Sequence, residues 1–173
     1  ELYGTVRAVV SVCDSMNYVT EPEDLEYLFA LVNNYLDPGG LFIFDMNTIH
    51  KYRDVIGDRT IAEDREDGSF IWENSYDSEN ALNVYELALF LPREDGLYEK
   101  CEEEHVQKAY SIEEVKAMIA KAGMELVAVY DAYTQTPGDE NCERLTFIAR
   151  EHGKSAENDY HGNIPERARH TEE

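Results

Sequence analysis

Two apolar segments that each end in an aspartate constrain the fold of this chain more than any other feature. Asp14 directly follows residues 6–13, and Asp45 is the last of residues 41–45. One segment of helix length lies between the two. Continuous apolar strands joined in this way are typical of a parallel β-α-β unit whose sheet is buried on both faces. Ligands of open α/β sheets bind beyond the carboxyl ends of the strands. The sequence therefore predicts that Asp14 and Asp45 lie together at the edge of a ligand crevice.

The connecting segment, residues 20–35, has the spacing of an amphipathic helix. Thr20 and Glu23 fit a capping box at its start, and the sequence Asp37-Pro-Gly-Gly40 predicts a turn at its end. Its predicted buried face consists of apolar residues three or four positions apart: Leu25, Leu28, Phe29, Val32 and Leu36.

The pattern changes to period two between residues 58 and 110, with turn signals at Asp67-Gly68 and Asp95-Gly96. This predicts an antiparallel meander of three or four strands, inserted after the second parallel strand. A capping-box sequence, Ser111 to Glu114, then predicts a second helix. The segments 126–133 and 145–150 predict two strands that pair antiparallel.

The fold class predicted from these elements is α/β, with an inserted antiparallel meander. Residues 1–57 and 111–150 form the α/β domain in this interpretation, and residues 58–110 form the insertion. From residue 151 to residue 173 the chain has almost no apolar residues, which predicts a disordered tail.

The charge of the chain argues against one class of partner. It has 37 Asp and Glu against 15 Lys and Arg, a formal net charge of -22. Nucleic-acid binding depends on cationic residues that neutralise phosphates, so DNA or RNA is not expected as the main partner. No apolar run is long enough to cross a membrane, and the three cysteines show no metal or disulfide spacing. We expect a cytoplasmic protein, and a homodimer is compatible with the sequence.

The segment from Asp14 to Tyr18 is the strongest candidate for chemistry, because it leaves a buried strand and faces the predicted crevice. Asp14 and Ser15 are equally compatible with simple hydrogen bonds to loop amides. Asn47, shortly after Asp45, is equally compatible with a turn that closes the second strand. Trp72 is expected to pack in the meander core in preference to forming a wall over the crevice.

Glu103 and His105 alternate on one strand and so share one face. Two ligands do not make a metal site, and a solvated sheet edge is the favoured interpretation. Tyr110 and Arg144 are further pocket candidates with weaker support.

Six short stretches of the chain form a recognisable set: Val-Cys-Asp-Ser-Met-Asn-Tyr18, Leu-Asp-Pro-Gly-Gly40, Phe-Ile-Phe-Asp-Met-Asn47, Phe-Ile-Trp-Glu-Asn74, Glu-Glu-His105 and Ala-Tyr110. Together they resemble class I S-adenosylmethionine-dependent methyltransferases, specifically a small bacterial branch with an antiparallel insertion after the fifth strand. The resemblance covers roughly residues 1–150, in the order of that family.

The resemblance implies the C-terminal half of a Rossmann-like sheet of seven strands, with the seventh antiparallel to the rest. Residues 6–13, 41–45, 126–133 and 145–150 would be strands four to seven. The family's glycine-rich loop and its ribose-binding acidic residue would lie upstream of Glu1. We therefore expect a fragment that binds the cofactor weakly and is inactive alone.

The resemblance also implies roles for individual residues. Cofactor contacts fall on Cys13, Asp14, Ser15 and Tyr18, and S-adenosylmethionine is the expected cofactor. The predicted catalytic residues are Asp14, Tyr18 and Asp45, with His105 as another candidate base. A small-molecule acceptor would contact residues of both regions: Asn17, Asn47, Trp72, His105, Tyr110 and Arg144.

Two other functions remain open from the sequence. A non-catalytic scaffold could keep the fold and use its acidic surface or its meander to bind a partner, because fold does not fix function. A metal-dependent hydrolase using Asp14, Asp45 and His105 is a weaker alternative.

Overall fold

Two four-stranded sheets organise the chain in the computed structural model, which describes residues 4–154. The first sheet has the order β1-β2-β8-β7 and the second the order β3-β4-β5-β6. The strands are β1 Val6–Ser11, β2 Leu36–Asn47, β3 Arg59–Arg65, β4 Gly68–Asp77, β5 Leu82–Pro92, β6 Tyr98–Lys108, β7 Met124–Asp131 and β8 Arg144–Glu151. The α-helices are α1 Pro22–Tyr35 and α2 Ile112–Lys121.

The first sheet has the predicted parallel β-α-β unit at one edge. β1 and β2 pair in parallel, with Val10 opposite Ile43. β8 runs antiparallel to both of its neighbours, β2 and β7. The predicted antiparallel pairing of the last two strands is thus confirmed, and the strand order is the one that the resemblance implies for strands four to seven.

Two strand boundaries differ from the prediction. β1 ends at Ser11 because Cys13 and Asp14 turn into the left-handed region, with φ of 62° and 50°. β2 begins at Leu36, and the predicted Asp37–Gly40 turn becomes an irregularity within it, since the partner of β1 jumps from Leu36 to Leu41.

One face of the first sheet carries the main core. Phe44 stacks on Phe147 of β8, with ring centroids 5.1 Å apart. Leu25 and Phe29 of α1 pack there together with residues of α2. The opposite face is bare: Val10 and Val12 are 61% and 51% exposed, and Val127 of β7 is also exposed. Around the first sheet, the described residues therefore form two layers, one of strands and one of helices, where a doubly wound fold has three.

The helix ends test two predicted capping boxes. The one at Ser111 is confirmed, since its side chain and that of Glu114 bond reciprocally to backbone amides. The one at Thr20 is wrong: α1 begins at Pro22, and its N-cap, Glu21, makes no side-chain capping bond. Pro22 allows the helix to start without a side-chain cap, because the backbone N–H that proline lacks would have no partner at the first helical position in any case.

The second sheet is the predicted antiparallel meander, with four strands. A short π-helix, Lys51–Ile56, links it to β2, and Tyr52 and Ile56 form a small second core with Ala109. This core fixes the meander close to the carboxyl ends of β1 and β2.

The first residue of the predicted tail lies in a strand instead. Glu151 belongs to β8 and is buried, where it accepts hydrogen bonds from the amides of Gly39 and Lys154, both at 2.8 Å. The rest of the predicted tail, from residue 155 on, lies outside the described residues. Within residues 4–154 no helix has the length and apolar character needed to span a membrane.

Candidate active site

The loop after β1 forms one side of the site. Its two left-handed residues, Cys13 and Asp14, lead directly into a single 3-10 turn, Ser15–Tyr18. The Ser15 hydroxyl donates to the carbonyl of Val12 at 2.7 Å, which closes the turn. The loop therefore reverses sharply and directs the Asp14 side chain across the end of the sheet.

Asp45 lies directly beneath this loop. It is inside β2, two residues before the strand ends, and its side chain is 2% exposed. Its carboxylate accepts hydrogen bonds from the amides of Asp14 at 2.6 Å and Cys13 at 3.2 Å. The predicted meeting of Asp14 and Asp45 is confirmed, but Asp45 is buried where the sequence placed it at the rim of the crevice.

A single guanidinium bridges the two carboxylates. Arg144 binds Asp14 at 2.7 Å and Asp45 at 3.2 Å. Burial alone would lower the pKa of Arg144, but the hydrogen bond and charge of Asp14, with the charge of Asp45, raise it above its ordinary value. Arg144 therefore remains charged and lets two acids share one small volume.

Two neutral donors complete this group, which we name the carboxylate cluster: Asp14, Asp45, Arg144, Gln107 and Tyr133. Gln107 of β6 donates to Asp14 at 2.6 Å, and the Tyr133 hydroxyl donates to Asp45 at 3.0 Å. Side chains from β6, from β8 and from the segment after β7 thus hold the two carboxylates. Asp45 receives four donors in all, as a buried carboxylate requires.

Asn17 joins the loop to both sheets. It is fully buried, and its amide donates to the carbonyls of Asn47 at 3.1 Å and Lys108 at 2.8 Å. Its side-chain oxygen accepts from the Asn47 amide at 2.9 Å. The side-chain atoms of Asn17 are therefore occupied by backbone partners from β2 and β6.

A second polar chain runs behind the carboxylate cluster. Lys51 donates to the side chain of Asn47 at 2.9 Å, Asn47 donates to the Tyr52 hydroxyl at 3.1 Å, and Tyr52 donates to Gln107 at 2.9 Å. Burial is the main cause that lowers the pKa of Lys51 and raises that of Tyr52. This chain fixes the orientation of Gln107 toward Asp14.

Aromatic side chains from the meander meet the loop at Tyr18. The Tyr18 hydroxyl lies 2.8 Å from Nδ1 of His105 and 3.1 Å from the Tyr85 hydroxyl. His105 stacks on Tyr85 with ring centroids 4.5 Å apart, and Trp72 packs on the other side at 4.9 Å from Tyr85. Tyr18 is 44% exposed, so its ring is open to the crevice.

Tyr110 and His105, which the sequence-based prediction placed in one site with Asp14 and Asp45, make no hydrogen bond to either aspartate. Tyr110 is buried in the main core, and its hydroxyl donates to the Val19 carbonyl at 2.7 Å. Asp14 and Asp45 are joined to Arg144, whereas His105 binds Tyr18 and Glu103. In residues 4–154 there is no group of three or more potential ligands that could hold a metal ion, so the hydrolase alternative has no metal centre in that part of the chain.

Several residues of the site are absent from the sequence-based prediction: Lys51, Tyr52, Tyr85, Gln107 and Tyr133. Tyr133 had a usable signal, since it follows β7, which runs parallel to β1 and β2, and residues beyond parallel strands belong to the crevice edge. Gln107 and Tyr85 had no such sequence signal, because their contacts with Asp14 and Tyr18 depend on how the meander packs over the first sheet.

Comparison with known proteins supports the family suggested by the motifs. No protein-family model matches the chain. A protein of Bacillus subtilis (strain 168) named "Putative methyltransferase YqeM" is 31% identical over 147 residues, covering 85% of this chain and 59% of the relative. A Geobacillus sp. (strain WCH70) protein named for the same activity is 28% identical and covers 87% of this chain and 61% of the relative. The chain thus spans about three fifths of the curated relatives it matches.

Solved structures agree with this relationship. An S-adenosylmethionine-dependent methyltransferase from Clostridium acetobutylicum ATCC 824 is 26% identical with a TM-score of 0.82, over 88% of this chain and 61% of that one. CalS10, an amino pentose methyltransferase from Micromonospora echinaspora solved with the cofactor bound, is 17% identical with a TM-score of 0.66, over 87% and 60% of the chains. At that identity CalS10 shows the shared fold alone.

Proposed function

We propose that the chain belongs to the class I S-adenosylmethionine-dependent methyltransferase family and that the whole protein transfers a methyl group from that cofactor to a small-molecule acceptor. The observation that carries this proposal is the placement of Asp14 and Tyr18 by one loop at the carboxyl end of the parallel pair. Binding at that end is the rule for open α/β sheets.

The described residues fit one part of the cofactor. Each carboxylate oxygen of Asp14 already accepts one donor, from Arg144 or Gln107, and an ionised carboxylate oxygen has capacity for a second. Asp14 can therefore bind the cofactor's ammonium group, and the exposed Tyr18 ring can face its positive sulfonium. Cys13 and Ser15 line the same loop. When bound, S-adenosylmethionine supplies an activated methyl group, so the protein mainly contributes alignment and exclusion of water.

The bare face of the first sheet supports assigning the activity to a larger fold. Val10, Val12 and Val127 form an apolar surface that water would otherwise contact, and burying apolar area is the main favourable term in folding. The curated relatives extend well beyond the region they share with this chain. We propose that the equivalent region of the whole protein covers this face and completes the cofactor site.

The acceptor side is formed by the meander. Trp72, His105 and Tyr85 make an aromatic wall beside Tyr18. An aromatic wall with one imidazole suits a small organic acceptor with a hydroxyl or amine group. The net charge of -22 opposes binding to the phosphates of nucleic acids.

Isothermal titration of the whole protein with S-adenosylhomocysteine tests the proposal. We expect saturable binding, weakened in Asp14→Asn because the carboxylate charge is lost. Lys116→Ala, on the exposed side of α2, is the matched control and should bind as the unsubstituted protein does. No binding in a folded whole protein would refute methyl transfer and leave the scaffold alternative.

A further inference from the structure

The glutamate-rich segment of β6 has a defined geometry toward Tyr18. Glu103 Oε2 lies 3.1 Å from Nε2 of His105, and the other ring nitrogen, Nδ1, lies 2.8 Å from the Tyr18 hydroxyl. Glu103 and His105 share one face of β6, and Tyr85 stands opposite His105 in the strand register. The imidazole is thus held between a carboxylate and a phenol.

The directions of these hydrogen bonds follow from their partners. A carboxylate can only accept, so the imidazole N–H belongs on Nε2, facing Glu103. Nδ1 then has a lone pair and accepts from the Tyr18 hydroxyl. Because Tyr18 gives its own proton to Nδ1, its oxygen accepts from the Tyr85 hydroxyl. Burial first, and then the hydrogen bond with Tyr18, raise the pKa of Tyr85, so Tyr85 keeps its proton. One consistent chain of donors results, running from Tyr85 through Tyr18 and His105 to Glu103.

We propose that this chain is a proton relay in which Tyr18 takes a proton from the acceptor and passes its own to His105, with Glu103 as a positioning residue. The assignment rests on the proposed methyltransferase function for its role. In the relay the acceptor X–H bond breaks as a new O–H bond forms on Tyr18. The original O–H bond of Tyr18 breaks as an N–H bond forms on Nδ1. The acceptor loses one proton for the methyl group it gains, and the imidazolium, facing Glu103, holds that positive charge.

The environment of the imidazole suits this role. The charged or titratable groups that face it are Glu103 from its own strand, Tyr85 from β5 and Tyr18 from the loop, and the charge of Asp14 acts on Tyr85. An orienting carboxylate on one nitrogen leaves the other free as a base, which is the arrangement that activates hydroxyl nucleophiles in other enzymes. The exposed ring of Tyr18 is the point where an acceptor can reach the relay.

The relay predicts an unusually reactive Tyr18 that can be measured without knowing the acceptor. Benzenesulfonyl fluoride forms an O–S bond with a tyrosine oxygen, fluoride leaves with the S–F electron pair, and a neighbouring base takes the proton. General-base assistance is worth about 10²–10⁴-fold, so the labelling rate of Tyr18, followed by mass spectrometry, should exceed that of Tyr98 by at least about tenfold. Tyr98 is the stricter comparison because it is more exposed, at 63% against 44%.

Three variants of the full chain separate the relay from simple packing. His105→Asn should reduce labelling of Tyr18 to the rate of Tyr98, and Glu103→Gln should give an intermediate rate. Glu104→Gln, on the opposite face of β6, should leave it unchanged. Circular dichroism would verify that each variant is folded.

Either of two results would overturn the relay: Tyr18 reacting no faster than Tyr98, or His105→Asn leaving the rate of Tyr18 unchanged. The labelling requires no cofactor. Failure of the relay is therefore distinct from failure of the proposed function, which the titration with S-adenosylhomocysteine measures separately.

Discussion

Replacing Asn17 by alanine tests the strongest structural claim about the loop after β1. The side chain is fully buried and makes three hydrogen bonds, to the carbonyl and amide of Asn47 and to the carbonyl of Lys108. Each is worth about 1 kcal/mol net, and a buried group left without a partner costs about 1–3 kcal/mol. Since Asn17→Ala leaves three backbone groups unpaired, we expect the free energy of unfolding to fall by about 3–5 kcal/mol.

Urea unfolding followed by far-ultraviolet circular dichroism measures this loss. The matched control is Ser15→Ala in the same loop, where one exposed hydrogen bond to Val12 is removed and the loss should stay below about 1 kcal/mol. Asn17→Asp adds a test of polarity, because an ionised carboxylate would face two carbonyl oxygens. Its loss relative to the unsubstituted chain should be greater at pH 8 than at pH 4.5, where a protonated carboxyl regains one donor. The reasoning is refuted if Asn17→Ala costs no more than the Ser15 control.

Three further substitutions test the site and its supports. Arg144→Met should lower the free energy of unfolding by about 3 kcal/mol. This is the lower end of the range for breaking a buried ion pair, because the side chain of Arg144 is 19% exposed. In an Asp45→Asn background the loss should be smaller, and a double-mutant cycle by urea unfolding measures the difference. Burial raises the pKa of Tyr52 above its ordinary value of 10.0, so the contribution of Tyr52 to stability is complete below about pH 10 and is lost as the pH rises further. Tyr52→Phe should therefore reduce the fall in the free energy of unfolding at alkaline pH. An unchanged slope of that free energy against pH would contradict this. Ser111→Ala should cost about 1 kcal/mol through loss of the reciprocal cap with Glu114, measurable as a lower Tm, and an unchanged Tm would show that the cap adds no stability.

The elements of the fold were predictable where local pattern and tertiary contacts agree. The parallel pair, the meander and α2 all followed from periodicity and turn signals, because apolar spacing records directly which face of an element is buried. The boundaries were less predictable. The extent of β1 depended on left-handed backbone at Cys13 and Asp14, and that of β8 on the burial of Glu151, neither of which has a local signal.

The site was predictable only in part, for a similar reason. The rule about strand ends located Asp14 and Asp45, and the motifs suggested Tyr18 and His105. The partners that decide the state of these groups come from distant parts of the chain, such as Arg144, which is 130 positions from Asp14. Predicted contact residues such as Asn17 proved to be bonded to backbone atoms, an arrangement that a sequence pattern does not encode.

The sequence by itself determined the class of fold and the edge of the sheet where polar groups would collect, since both follow from hydrophobic period and strand order. The tertiary structure alone decided that Asp45 is buried beneath the loop, that one guanidinium joins both carboxylates, and that His105 faces Tyr18. Those outcomes depend on the packing of the meander against the first sheet. Hydrogen bonds and charges act over a few ångströms in space, and separation along the chain carries no record of that distance.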